Sequence, residues 1–166
     1  MTLEQFITVN NILPGDAVIV KKNEIGLLDH YLIYLGHNSG DHKFIANYFY
    51  GTRILTAAEL SSYSLAYSVE RIRRFMGNNV QRYAAVQRAL SRRDQDSYRL
   101  LANNCEHFAN YVQTGVSHSQ QTRTFGAGLA LTGLAVATSS KSDTAKGVGT
   151  IMAILGLLTF LSEKQK

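Results

Sequence analysis

From Phe125 to Leu161 the chain carries two runs of apolar and glycine residues, FGAGLALTGLAVATSS (125–140) and GVGTIMAILGLLTFL (147–161), parted by the polar KSDTAK. No other feature limits the fold as much. At about 15 residues each, the runs fall short of the ~20 expected of a comfortable single membrane span. Together they read as a helical hairpin in or on a membrane, inserted shallowly or re-entrantly. Two helices packed on a domain are the alternative. The polar SHSQQTRT precedes them, so the chain divides into a domain over 1–117, a linker over 118–124 and a hairpin over 125–166.

The first 117 residues alternate between strand and helix patterns. The only proline opens a turn, Pro14-Gly15-Asp16, and the apolar AVIVKK after it reads as a strand. LLDHYLIYLG reads as a second strand, with Leu28, His30, Leu32 and Tyr34 on one face by the period of two. HKFIANYFYG returns as a third strand after the turn HNSGD, forming a hairpin. Thr56 and Glu59 have capping-box spacing and start a short helix through AAELSSY. LAYSVERIRRF reads as a further strand. From Asn79 a helix follows, with Val80, Tyr83, Ala84, Val86, Gln87 and Leu90 on its mainly apolar side, and then a second helix ending near Gly115. The class is α+β, a small antiparallel sheet packed against helices.

The net charge of +5 comes mostly from arginines in the middle third. Glu70, Asp94 and Asp96 interrupt that run, and no recognisable nucleic-acid motif accompanies it, so a nucleic-acid partner is not expected. A solvated helix face, or a surface meeting anionic headgroups, accounts for the arginines equally well. The start MTLEQFITVNN lacks a basic segment followed by a long apolar one, and no secretory leader is expected.

The single cysteine, Cys105, stands in LLANNCEHFANYVQTG. A lone cysteine is ordinarily a small buried apolar residue. Here Asn103 or Asn104 is a good N-cap, which puts Cys105 in the first turn of a helix. Partial positive charge at a helix start favours a thiolate, from an ordinary thiol pKa near ~8.5. Cys105, Phe108, Ala109 and Val112 follow helical spacing, so the thiol lies along the face that meets the domain. A nucleophilic cysteine also needs a base. His107, two residues on, points away from the thiol; His37 and His118 fall in polar connections. His30 sits mid-strand on an otherwise apolar face, either as a structural histidine or as a base.

HYLIYLG (30–36) together with NNCEHF (103–108) resembles the lecithin:retinol acyltransferase-like family, and within it the phospholipase/acyltransferase branch. The resemblance runs from about Leu13 to Gly115. That family belongs to the NlpC/P60 group of papain-related folds, permuted so that the histidine strand precedes the cysteine helix, which is the order of His30 and Cys105. The resemblance implies a thiol acyltransferase or phospholipase, with Cys105 as nucleophile, His30 as general base, and no cofactor or metal. The implied partners are a glycerophospholipid or other acyl-lipid and a membrane surface on its cytoplasmic side. Many members of the family carry a second histidine on the next strand, twelve residues after the first. His42 matches that count, but the strand text FIAN puts Asn47 in the corresponding setting. Asn47 is therefore expected to orient the base, with His42 as the alternative. A papain-like cysteine peptidase or amidase, and a non-catalytic membrane adaptor, are the competing functions.

Overall fold

The structure, a computed structural model, describes residues 3–21, 29–38, 41–48, 50–56, 59–60, 69–95 and 104–163. The chain divides into two compact units, a mixed sheet-and-helix unit that ends at Ser117 and a helical unit from His118 onward.

In the first unit, helix α1 (Leu3–Val9) leads into strands β1 (Ala17–Lys21), β2 (Asp29–Asn38), β3 (Asp41–Tyr48), β4 (Gly51–Ile54) and β5 (Val69–Arg73). Helices α2 (Asn79–Ser91) and α3 (Cys105–Thr114) follow. The five strands form one antiparallel sheet in the order β4-β3-β2-β1-β5. The α+β class, the β2–β3 hairpin and the packing of the Cys105 helix on the sheet are as the sequence leads one to expect. The short α1 and β4 have no counterpart in the sequence reading. The Thr56–Glu59 capping box is formed, with Thr56 N donating to Glu59 Oε2 at 2.9 Å; most of the helix it was expected to start lies outside the described residues.

Both faces of the sheet are covered, so the strands read as nearly continuous apolar runs. On one face Val18, Val20, Leu32, Tyr34, Phe44 and Ala46 pack with Phe6 and Ile7 of α1. On the other, Ala17, Ile19, Tyr31, Ile33 and Ile45 pack with α2 and α3. A register shift between Tyr34 and Gly36 divides the β2–β3 pairing, with Ile33 opposite Ile45 below it and His37 opposite His42 above it.

Helix α2 overturns the expected apolar face. Val80 is 77% exposed and Tyr83 is exposed too, while the helix buries Ala85 and Ala89. Alanines let the backbone come close to α3, and the larger residues are left outside. The same inner stripe carries Arg82 and Arg88. Arg82 donates to Asp16 Oδ1 at 2.9 Å and to Pro14 O at 2.6 Å. Arg88 donates through Nε and Nη2 to Val112 O, at 2.9 and 2.7 Å, near the carbonyl end of α3.

Asp16 ties the ends of three elements together. Its buried carboxylate accepts from Phe75 N, Leu13 N, Arg74 and Arg82. Burial pushes its pKa up, but these four donors outweigh burial and hold it below the ordinary carboxylate value. The turn beside it requires Gly15, whose φ of +90° is a conformation other residues avoid.

The second unit is a pair of antiparallel helices, α4 (Gln120–Ser139) and α5 (Asp143–Ser162), each of 20 residues. Helix α4 starts inside the polar stretch 118–124, capped by the Ser119 side chain. Helix α5 is long and apolar enough to cross a membrane by length and composition.

Candidate active site

Helix α3 begins at the cysteine because its cap is built from the residues around it. Asn104 Oδ1 accepts from Glu106 N and His107 N at 3.0 Å each, and Asn104 N donates back to His107 Nδ1 at 3.4 Å. His107 thus closes a capping box, a role the sequence did not reveal. The helix stops at Gly115, whose φ is +82° and whose N–H donates to Tyr111 O at 2.8 Å. Between these caps Cys105, Phe108, Ala109 and Val112 all enter the core against the sheet. Cys105 is 5% exposed, and its thiol donates to Asp29 O at 3.2 Å.

Asp29 is the first residue of β2, so the thiol meets the peptide that joins Asp29 to His30. The His30 imidazole goes the other way. Alternation along β2 sends it to the face of Leu32 and Tyr34, where its ring lies 4.8 Å from that of Tyr48. Asn47 alternates with Ala46 and Tyr48, so its side chain lies on the face that α3 covers; its Oδ1 accepts from Thr52 Oγ1 at 3.2 Å. His42 lies opposite His37, seven residues along β2 from His30, roughly 23 Å at the rise of a strand. Its Nδ1 is 2.7 Å from the Tyr34 hydroxyl. The structure thus gathers Cys105, the His30 backbone and Asn47 at one end of the sheet, and leaves His42 at the other.

A polar group stands beside the thiol on the α3 side. Tyr31 donates its hydroxyl to Glu106 Oε1 at 3.4 Å, and the Arg73 guanidinium lies over the Tyr31 ring, 5.2 Å from its centroid. Arg73 also donates to Asn110 Oδ1 at 2.7 Å, and Arg71 pairs with Asp29 at 3.3 Å. Burial pushes the Tyr31 hydroxyl pKa up, and the Glu106 charge adds to the rise. Burial pushes the Arg73 pKa down, against the pull of Tyr31 and Glu106. Sequence reasoning passed over these residues. The signal was present in VERIR, where Arg71 and Arg73 share one face of a strand, opposite Ile19 and Ala17. Arg73, half-buried on that face, needs an acceptor, whereas Arg71 stays exposed.

Among the described residues no group of three or more histidines, cysteines or carboxylates is placed to hold a metal ion. The model of one protein family, lecithin retinol acyltransferase, matches residues 10–118, which is the whole sheet unit from the end of α1. The chain belongs to this family. No curated protein matches it in a whole-sequence search. The family domain thus takes in the Asp16 node, β2 with His30, β3 with Asn47, and the Cys105 helix, and stops where the α4–α5 unit begins.

Proposed function

We propose that this lecithin retinol acyltransferase family protein is a cysteine-dependent acyltransferase or phospholipase acting on glycerophospholipid esters. The observation that carries the reading is the capped first turn that holds the single thiol of NNCEHF against the start of the HYLIYLG strand. The Cys105 thiol gives its proton to His30, and the sulfur attacks the ester carbonyl carbon. The carbon–oxygen bond then breaks, the alkoxide of the lysolipid takes the proton from the imidazolium, and the acyl group remains on Cys105 as a thioester. Water, an alcohol or an amine then attacks that thioester and restores the thiol. Asn47 serves as the group that orients His30.

Proton transfer needs the imidazole within hydrogen-bond reach of the sulfur. The sulfur meets the peptide that joins Asp29 to His30, whereas the His30 ring lies with Tyr48 on the other face, so the reaction requires the first residues of β2 to turn over. A one-residue change of register there exchanges the faces of Asp29 and His30. The same ring position favours a second reading, a non-catalytic member of the family with an inert thiol. Helix α5 anchors the protein in a membrane, with the family domain on the cytoplasmic side.

Intact mass measurement after brief exposure to phospholipid vesicles tests the proposal. An added acyl mass in the wild type and none in Cys105→Ser is expected. No adduct in either protein, with alkylation of Cys105 no faster than that of a free thiol, leaves the non-catalytic reading.

A further inference from the structure

We propose that α4 and α5 cross the bilayer together as one transmembrane hairpin, carrying their connecting turn through to the opposite face. This rests on the membrane reading above and goes beyond it, because a single span needs only α5, and shallow insertion needs neither helix to reach the far side.

The first observation is how the two helices meet. Gly126 lies against Gly156 and Gly133 against Gly149, each pair seven residues from the next on its own helix. A Cβ on Gly126 would stand 2.7 Å from Phe160 N and 2.9 Å from Gly156 O; one on Gly149 would stand 2.7 Å from Gly133 O. The backbones therefore touch directly along a seam, and the buried positions are Thr122, Gly126 and Gly133 on α4 and Gly149 and Gly156 on α5. Gly128 and Gly147, off the seam, have nothing within 4 Å. Small residues inside and large aliphatic ones outside is the packing of helices whose solvent is hydrocarbon.

The second observation is what the pair turns outward. Leu131 is 70% exposed, Ile151 and Leu158 are each 59% exposed, and Leu134, Ile154, Leu155 and Leu157 are exposed as well. A helix lying in the plane of a membrane needs a polar face for the water side, and neither helix has one. Four of the hydroxyls along the pair bond within their own helices. Thr138 donates to Leu134 O, Ser139 to Ala135 O, Thr150 to Lys146 O and Thr159 to Leu155 O, at 2.6 to 2.9 Å. Hydrocarbon offers no other acceptor.

The third observation is where charge sits. Arg123 and Glu163 are at the open end, and Lys141, Asp143 and Lys146 are at the turn, with no charged residue between those levels on either helix. The separation from Arg123 to Lys141, or from Lys146 to Glu163, is about 25 Å at the helical rise. That is slightly less than the ~30 Å hydrocarbon core, a mismatch that snorkelling and local thinning absorb. The open end is also tied shut: Glu163 accepts from Ser119 N at 2.7 Å, and the Arg123 guanidinium lies 4.8 Å from the Phe160 ring centroid.

The chain carries one cysteine, so a Cys105→Ser background makes the test clean. Single cysteines replace Gln120, at the open end, or Lys141, at the turn; both positions are exposed. Sealed membrane vesicles of one sidedness are treated with an impermeant maleimide before and after detergent. The expected result is opposite behaviour, one position labelled at once and the other only after detergent. The same response at both positions overturns the crossing and leaves membrane association standing. Protein that fails to float with the vesicles overturns the membrane reading itself.

Discussion

Asp16 is buried with its two oxygens shared among two arginines and two backbone N–H groups, so its removal leaves Arg82 half-enclosed without its partner. Asp16→Ala is expected to cost about 3 kcal/mol of stability, the range found when one member of a buried pair is deleted. The pH dependence follows from the direction of the shift. The folded carboxyl lies below the unfolded value of about 3.9, so the unfolded chain binds the proton first. The stabilisation is complete above that pH and is lost as pH falls through the folded-state value. Urea midpoints recorded between about pH 6 and pH 3 should therefore drop for the wild type and drop less for Asp16→Asn. An equal drop in both proteins would assign acid sensitivity to other carboxylates. For His30, replacement by Gln should lower the rate of Cys105 alkylation and change its pH profile. Superimposable pH profiles would leave His30 as a packing partner of Tyr48. The helix around Cys105 was legible in the sequence because capping and the i, i+3, i+4, i+7 face are local properties. The relation of His30 to Asn47 was not. It depends on the register shift between Tyr34 and Gly36, and one residue of slip decides which face each side chain takes.

At the scale of elements, β1, β2, β3 and β5 declared themselves through apolar runs bounded by turn residues, while α1 and β4 are too brief for periodicity to carry them. Helix α2 was found but turned the wrong way, because Val80 and Tyr83 outweigh alanine in any apolar count even though only alanine permits the close approach at Ala85 and Ala89. Glycine position makes the matching prediction for the second unit. Gly133→Leu should push α4 and α5 apart, whereas Gly128→Leu, on the open side of the same helix, should leave them paired. A disulfide formed between cysteines at Arg123 and Phe160 in a Cys105→Ser background reports the pairing. Its efficiency should fall several-fold for Gly133→Leu alone; an equal loss in both variants would mean that the seam is not where the helices are held.

For the whole molecule, several of the middle-third arginines hold the fold together, although Arg71, Arg74, Arg92 and Arg93 remain exposed. Arg73, Arg74, Arg82 and Arg88 serve Asn110, Asp16, Pro14 and Val112, and Arg92 lies over the Tyr111 ring. A sequence shows how many arginines there are but not which carbonyls and carboxylates the fold will bring to them. The sheet unit has its own core on both faces, so truncation after Ser117 should yield a folded protein that reacts with a soluble thioester and no longer floats with vesicles. Loss of the cooperative unfolding transition in the truncated chain would show that the helical unit is needed for folding.

The antiparallel arrangement of α4 and α5 has an electrical consequence. Each helix carries roughly half a positive charge at its start and half a negative charge at its end. Side by side and reversed, the two macrodipoles cancel, so in the proposed crossing a voltage across the membrane would exert almost no torque on the pair. What the voltage would act on in that proposed arrangement is the turn, where Lys141 and Lys146 against Asp143 leave one positive charge. Moving that charge through the full field is worth about 2.3 kcal/mol per 100 mV. A potential negative on the starting side resists insertion by that amount, and collapsing it with an ionophore should speed entry.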